Sequence, residues 1–387
     1  MPDFSDLPPL PPLAVLAHVV DVHCHPTDSP LDPELFSTLP HRICAMATRG
    51  TDQELVADLA RRYPDKVVPC FGYHPWFTHW ISLSDCPSKE AHYRALFLPA
   101  GESKPEHEVA FARLLPHLPH PTPLSDILHS LRASLTSFPN AMLGEVGLDR
   151  ACRVPYSPPA PPPYASSASC AEDGGARELS PFAIPLAHQV AILEAQLAVA
   201  VELRRNVSMH SVKAQQATLE FLARTKARHG RAWHAISVDM HSCGLSAQTW
   251  AAVEAERACV VQKTHCNVFL SLSTAINARS PAHTALIQAC APDRLLAESD
   301  FHDIAYSAPY VWDMVCRIAD ARGWPVERSA EELEGDGKEG VVRRLAENWQ
   351  RFVEGGHRPR THKKKDRRQL LLDESESDEE AGSAGES

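Results

Sequence analysis

The sequence predicts an α/β protein of the (β/α)8 TIM-barrel class. Short apolar runs alternate with segments of helical periodicity through most of the chain. In addition, potential metal ligands fall at or just past the ends of five of those runs. Helical crossovers imply parallel strands, and a closed sheet gathers that many C-terminal strand ends at one mouth. A doubly wound sheet is the alternative, and it would spread the same ends along an open edge.

The eight strands are expected at Ala17 to His23, Arg42 to Thr48, Lys66 to Tyr73, Ala141 to Gly147, Asn206 to His210, Ala235 to His241, Arg257 to Lys263 and Arg294 to Ser299. Between them, Asp52 to Arg62, Leu124 to Leu135, Leu186 to Arg204, Val212 to Arg228, Ala247 to Glu256 and His283 to Ala291 repeat apolar residues at helical spacing. Three segments break the pattern. A long insertion follows strand three, at about residues 84–120, and a loop rich in Pro, Ser and Ala follows strand four, at 154–180. That loop is expected to be disordered. Beyond Phe352, a basic block from Arg358 to Arg368 runs into an acidic one from Asp373 to Glu380, a composition too polar to fold alone. The expected organisation is therefore a Pro-rich segment at 1–13, a barrel at 14–355 and a disordered tail at 356–387.

A content of 44% apolar residues in 387 is ample for one large core. The net charge of -11 argues against broad neutralisation of nucleic-acid phosphates, so phosphate recognition would have to be local. Eleven cysteines occur without a CxxC pair, several inside strand-like runs, and read as reduced core residues of an intracellular protein, cytoplasmic or nuclear. Asp3 and Asp6 stand where a leader would carry basic residues, and no apolar stretch reads as long enough to cross a bilayer, so no membrane partner is expected.

Six side chains carry the expected chemistry: His23, His25, Glu145, His210, His241 and Asp300. Alternate residues of a strand share a face, so Asp21, His23 and His25 would point the same way, and two imidazoles can grip one cation. Glu145 sits between glycines in an apolar strand, where an ionised carboxylate needs a cation or several donors. His210 and His241 each end a similar strand. Asp300 ends the last one, two residues beyond Glu298, and could both bind metal and take a proton from water. The expected arrangement places His23, His25 and Asp300 on one divalent ion and His210 and His241 on a second, with Glu145 bridging. The ligand types suit zinc, manganese or magnesium.

The motifs Asp21-Val22-His23-Cys24-His25, Gly72-Tyr73-His74-Pro75-Trp76, Gly144-Glu145-Val146-Gly147-Leu148-Asp149, Met209-His210, His241-Ser242-Cys243-Gly244 and Glu298-Ser299-Asp300 resemble those of the TatD-like metal-dependent hydrolases of the amidohydrolase superfamily. Glu347 to Phe352 looks like that family's closing helix. The motif around Met209 and His210 is most similar to a fungal branch described as interacting with a subunit of the mitotic ubiquitin ligase. This resemblance implies a metal-dependent phosphodiesterase, with DNase and 3′-to-5′ exonuclease action on DNA ends or nucleotides, in which Glu145 and Asp300 serve catalysis. It also implies that His74 faces the substrate, and it puts Val212 and then Lys213 where many members carry an arginine suited to phosphate. Two alternatives remain. One is a weakly active or inactive barrel that binds a protein partner in cell-cycle control through the tail or insertions. The other is an amidohydrolase acting on a small C–N or lactone substrate.

Overall fold

Eight parallel strands form one sheet in a computed structural model that describes residues 7–85, 88–99, 104–157, 178–254, 265–278, 280–335 and 339–358. In chain order they are β1 (Val20–Cys24), β2 (Arg42–Met46), β3 (Val67–Phe71), β4 (Met142–Asp149), β5 (Val207–Val212), β6 (Val238–Met240), β7 (Val268–Ser273) and β8 (Leu295–Glu298), each paired with the next. The sheet edges meet. The Asp300 N–H donates to the His23 carbonyl at 2.9 Å and the His25 N–H to the Phe301 carbonyl at 2.9 Å, which brings β1 and β8 together as a barrel.

Seven strands coincide with the expected ones to within a few residues. The seventh does not. It is Val268–Ser273, whereas the expected segment at Arg257 to Lys263 lies outside the described residues. Two neighbouring apolar runs compete there, and apolarity alone does not say which one pairs. Pairing decides it: Val268, Phe269 and Leu270 lie opposite Val238, Asp239 and Met240, while Leu270 to Ser273 lie opposite Leu295 to Glu298.

Strand alternation divides the core in two. Ile43, Ala45, Val67, Phe71, Leu143, Val207, Met209, Val238, Met240, Val268, Leu270, Leu295 and Ala297 belong to the large apolar cluster shared with the surrounding helices. The intervening Val22, Cys44, Met46, Val68, Cys70, Met142, Phe269 and Leu296 form a separate cluster inside the barrel, with Trp349 and Phe352 packed against it. Those aromatics come from the last helix, Val341–Glu354, which plugs the N-terminal end of the barrel. Asn348 holds it there by donating to the carbonyls of Leu295 (2.9 Å) and Pro292 (2.8 Å), and the Phe352 carbonyl accepts from Asn206 Nδ2 (2.8 Å) and Ser237 Oγ (2.6 Å). With one end filled by hydrocarbon, polar side chains are left to the other.

The helix Leu186–Leu203 corrects the reading that no apolar stretch is long enough to cross a bilayer, because by length and composition alone it could, with a mean hydropathy of 1.3 over eighteen residues. Buried His188, Gln189 and Gln196 interrupt its apolar run without lowering that average enough. Here half of the window is buried against the protein, and the two glutamines pin the ends of neighbouring strands. Gln189 exchanges hydrogen bonds with the N–H and carbonyl of Asp149 (both 2.8 Å), and Gln196 does so with Tyr73 (2.8 and 3.2 Å). A helix placed for packing thus also fixes two strand ends at the mouth.

The insertion after β3 contains helices Lys89–Phe97 and Pro105–Leu114. Their Tyr93, Phe97, Phe111 and Leu114 pack with Val154 and Phe182 of an antiparallel ribbon, Arg153–Pro155 with Leu179–Ala183, and with Ile184 just beyond it, in a satellite cluster. Most of the Pro-rich loop, and the tail beyond Arg358, lie outside the described residues. If Phe352 seals the barrel as its burial indicates, Phe352→Ala should lower unfolding free energy by ~3–5 kcal/mol in a denaturant titration. A loss under ~1 kcal/mol would show that the lower core does not depend on this plug.

Candidate metal centre

Above the apolar layer the interior becomes polar. Ser208, Asp239, Ser271 and Glu298 are all essentially inaccessible to solvent, on β5, β6, β7 and β8. Ser271 Oγ lies 2.7 Å from Asp239 Oδ2 and 2.5 Å from Glu298 Oε2. One hydroxyl proton cannot serve both carboxylates, so one of the two acids must carry a proton of its own. Burial, with Glu298 nearby, pushes the Asp239 carboxyl well above its usual range and assigns the proton there. Glu298 Oε1 then accepts from the Ser242 N–H at 2.7 Å, with Ser242 Oγ also 2.7 Å away.

The next layer brings all six expected ligands together. His23 Nε2 is 3.1 Å from His25 Nε2, and Glu145 Oε2 is 3.6 and 3.2 Å from those two nitrogens. Asp300 Oδ1 lies 3.8 and 3.6 Å from the same pair. On the other side, Glu145 Oε1 is 2.8 Å from His210 Nδ1 and 2.7 Å from His241 Nε2, which are themselves 3.2 Å apart. One carboxylate therefore turns a different oxygen to each group. The His23 and His241 rings, one from each group, stack at 3.8 Å between them.

This donor set suits divalent cations. Ligands at ~2.1 Å from a tetrahedral ion lie about 3.4 Å apart; separations in the first group, 3.1 to 3.8 Å, bracket that value, and those in the second, 2.7 to 3.2 Å, are somewhat tighter. The nitrogen pairs argue the same way. When His23 donates its Nδ1 proton to Ser208 Oγ (2.7 Å), the lone pair of Nε2 faces His25; when His210 donates from Nε2 to Asp149 Oδ2 (3.4 Å), the lone pair of Nδ1 faces His241. Two imidazole lone pairs at such distances repel unless a proton or a metal ion lies between them.

Electrostatics in the metal-free chain follow. Burial raises the Glu145 carboxyl, but His74, His241, His210 and His23 outweigh it and hold the group well below its ordinary range. Burial likewise opposes charge on His25 and His241, yet Asp300 and Glu145 at the first, and chiefly Glu145 at the second, raise both imidazoles well above theirs. Asp149 is also pushed up by burial, but bonds from His210, from Trp76 Nε1 (2.6 Å) and from the Ala151 N–H (2.6 Å) win and leave it at about 2.

Two expectations about orientation change. Asp21 does not join the histidines, because the β1–β2 register shifts between Asp21 and Cys24. Its carboxylate instead accepts from the Ser299 N–H (2.8 Å) and Ser307 Oγ (2.6 Å), tying β1 to β8 and to the helix Ser307–Arg322. His74 is only 4% exposed and faces Glu145, with Nε2 3.1 Å from Oε1. Its Nδ1 accepts from the Trp76 N–H at 3.1 Å, which places the ring proton on Nε2, donated to the carboxylate. Lys213 is exposed just past β5 with a positive φ of 48°.

Sequence reasoning passed over two residues. Asp149 holds His210, and its signal was a second acid four residues beyond Glu145 on one strand. Ser242, at φ 40°, places Oγ 2.7 Å from Asp300 Oδ2, and Asp300 itself has φ 49°. Serine and aspartate in the left-handed region are held there by the bonds just described. Glycine is required at Gly147, where a Cβ would meet the His210 carbonyl oxygen at 2.1 Å; that close approach sets β4 against β5 and so Glu145 against His210.

A family model described as TatD related DNase matches residues 20–336. The Cut9-interacting protein scn1 of Schizosaccharomyces pombe is 29% identical over 350 residues, 83% of this chain and 97% of that protein. An uncharacterized deoxyribonuclease of Saccharomyces cerevisiae is 24% identical over 350 residues, 87% of this chain and 99% of its own. The crystal structure of a TatD homologue from Escherichia coli aligns with a TM-score of 0.48 at 14% identity, covering 89% of this chain and 100% of that one.

Asp149→Asn keeps the shape of the side chain while weakening the acceptor for His210. It should reduce divalent-metal affinity about 10–100-fold in a competition titration against a chelating dye. Unchanged affinity would show that His210 is oriented by other contacts.

Proposed function

Because the chain belongs to the TatD-related DNase family, we propose that it is a hydrolase of phosphodiester bonds in DNA ends or nucleotides, working with two divalent cations shared through Glu145. The observation that carries this reading is the split of the Glu145 carboxylate, one oxygen 3.2 Å from His25 and the other 2.7 Å from His241. His23, His25 and Asp300 would hold one ion and His210 and His241 the other, with zinc, manganese or magnesium all compatible with these donors. Such ions, when bound, supply activation of water and stabilisation of charge on a phosphoryl oxygen.

The chain's own groups do the rest. Asp300, His25 and His210 are the more open members, with side chains 12%, 15% and 11% exposed, so water and substrate approach along the edge that these three form. Ser242 Oγ holds Asp300 Oδ2, which leaves Oδ1 directed at the His23 and His25 nitrogens and placed to accept the proton of an attacking water. His74 keeps Glu145 ionised by donating to Oε1. The deep burial of Glu145, His23 and His241 keeps solvent from competing with these contacts.

A second reading is favoured by the likeness to the Cut9-interacting protein: the same chain would bind a protein partner, with the tail or the insertions as the contacting segments. The two functions are compatible, since the metal centre lies within the barrel. Truncation after His357 should abolish partner capture and leave hydrolysis intact; retained capture would move the contact onto the barrel. A location in the cytoplasm or nucleus follows from this reading and is tested by imaging the tagged chain.

Glu145→Gln and Asp300→Asn should each lower kcat on a single-stranded oligonucleotide by about 10²-fold or more, with the far-UV circular dichroism unchanged. Equal activity in wild type and both variants would remove the proposal. A panel containing lactone and amide substrates decides between phosphodiester and C–N or lactone chemistry. Metal affinity has a defined pH sign. His25, His210 and His241 are held above their ordinary values in the metal-free chain, so they retain protons that ligation must displace. Affinity should therefore rise from pH 6 to pH 8, with proton release visible as a buffer-dependent binding enthalpy, and a flat profile would contradict ligation by these imidazoles.

A further inference from the structure

Trp76 is 47% exposed, the one aromatic among the exposed large apolar side chains of the described residues. It is nonetheless tightly held. Its residue lies in the 3-10 turn Pro75–Trp80, its N–H donates to His74 Nδ1 and its Nε1 donates to Asp149 Oδ2 at 2.6 Å. The indole meets the His74 ring edge-on, with centroids 4.8 Å apart, and lies 6.4 Å from the His210 ring. Val212, also among the exposed apolar side chains, pairs with Asp149 across β4 and β5, so the two apolar surfaces flank one carboxylate at the mouth. The exposed Lys213 follows directly.

A rigid indole exposed at the rim, with its polar edge already satisfied, has only apolar surface left to offer a ligand. We propose that Trp76 is a stacking platform for a nucleobase, receiving the base of the nucleotide whose phosphate reaches the Glu145, His210 and His241 side of the centre. Every base has a π-face, so such a platform binds single-stranded ends without choosing sequence. Val212 forms the apolar wall beside it, at the position where the family resemblance puts an arginine in many members. The net charge of -11 fits this division, since a chain without broad positive charge needs another source of affinity for nucleic acid. The proposal rests on the phosphodiesterase reading.

The test uses the full chain and two hydrolysis-resistant phosphorothioate oligonucleotides, one natural and one with its terminal base replaced by hydrogen. Binding is measured by fluorescence anisotropy. Trp76→Leu should weaken binding of the base-bearing oligonucleotide about 5–100-fold and leave the abasic one unchanged, while Trp76→Phe retains most of the affinity. An equal loss for both ligands would show that the indole acts only through Asp149, and no loss for either would leave it no part in binding; both results overturn the proposal. Quenching of wild-type tryptophan fluorescence by the base-bearing but not the abasic ligand gives the same decision without a variant. Because binding is read apart from turnover, a chain that stacks bases but cleaves nothing would retire the hydrolase reading alone.

Discussion

A single buried carboxylate organises the functional end of this molecule. Glu145 lies at the heart of the barrel, 3% exposed, where an unpaired charge would cost several kcal/mol. It is tolerable because imidazoles from β1 and β5 and from the turns after β1, β3 and β6 converge on its two oxygens. Those imidazoles crowd one another in turn, with nitrogen pairs at 3.1 and 3.2 Å that call for positive charge between them. Cations are the common solution to both problems, and the rest of the structure serves to hold this arrangement.

The barrel interior is graded to that end. Hydrocarbon fills its N-terminal half and is sealed by Trp349 and Phe352, so the strands cannot collapse inward there. A middle layer of Ser208, Asp239, Ser271 and Glu298 is buried but internally bonded, and it reaches up through Ser242 to Asp300 and directly to His23. Gln189 and Gln196 brace the ends of β4 and β3 from outside. Four of the six expected ligands thus have a supporting group, Ser208 at His23, His74 at Glu145, Asp149 at His210 and Ser242 at Asp300, which is how a centre keeps its geometry while its mouth stays open.

Much of this was legible in the sequence because strand periodicity and chemistry agreed. An imidazole or carboxylate closing a short apolar run is visible without coordinates, as at His23, His25, His210, His241 and Asp300, and so is an acid set inside one, as at Glu145. What was not legible depends on register. Asp21 shares strand parity with His23, yet a shift in β1 turns it to β8, and the seventh strand lies one apolar run later than expected because pairing with β6 and β8, not composition, selects it. Ser242 is an ordinary loop serine until its positive φ and three oxygen partners are seen. The site is therefore more readable than the framework that aims it.

The most direct test of the shared carboxylate is an anomalous difference map from crystals of the full chain soaked in manganese. Two peaks are expected, one among His23, His25 and Asp300 and one between His210 and His241, each beside a different oxygen of Glu145. A single peak, or ions bound without Glu145, would contradict the account.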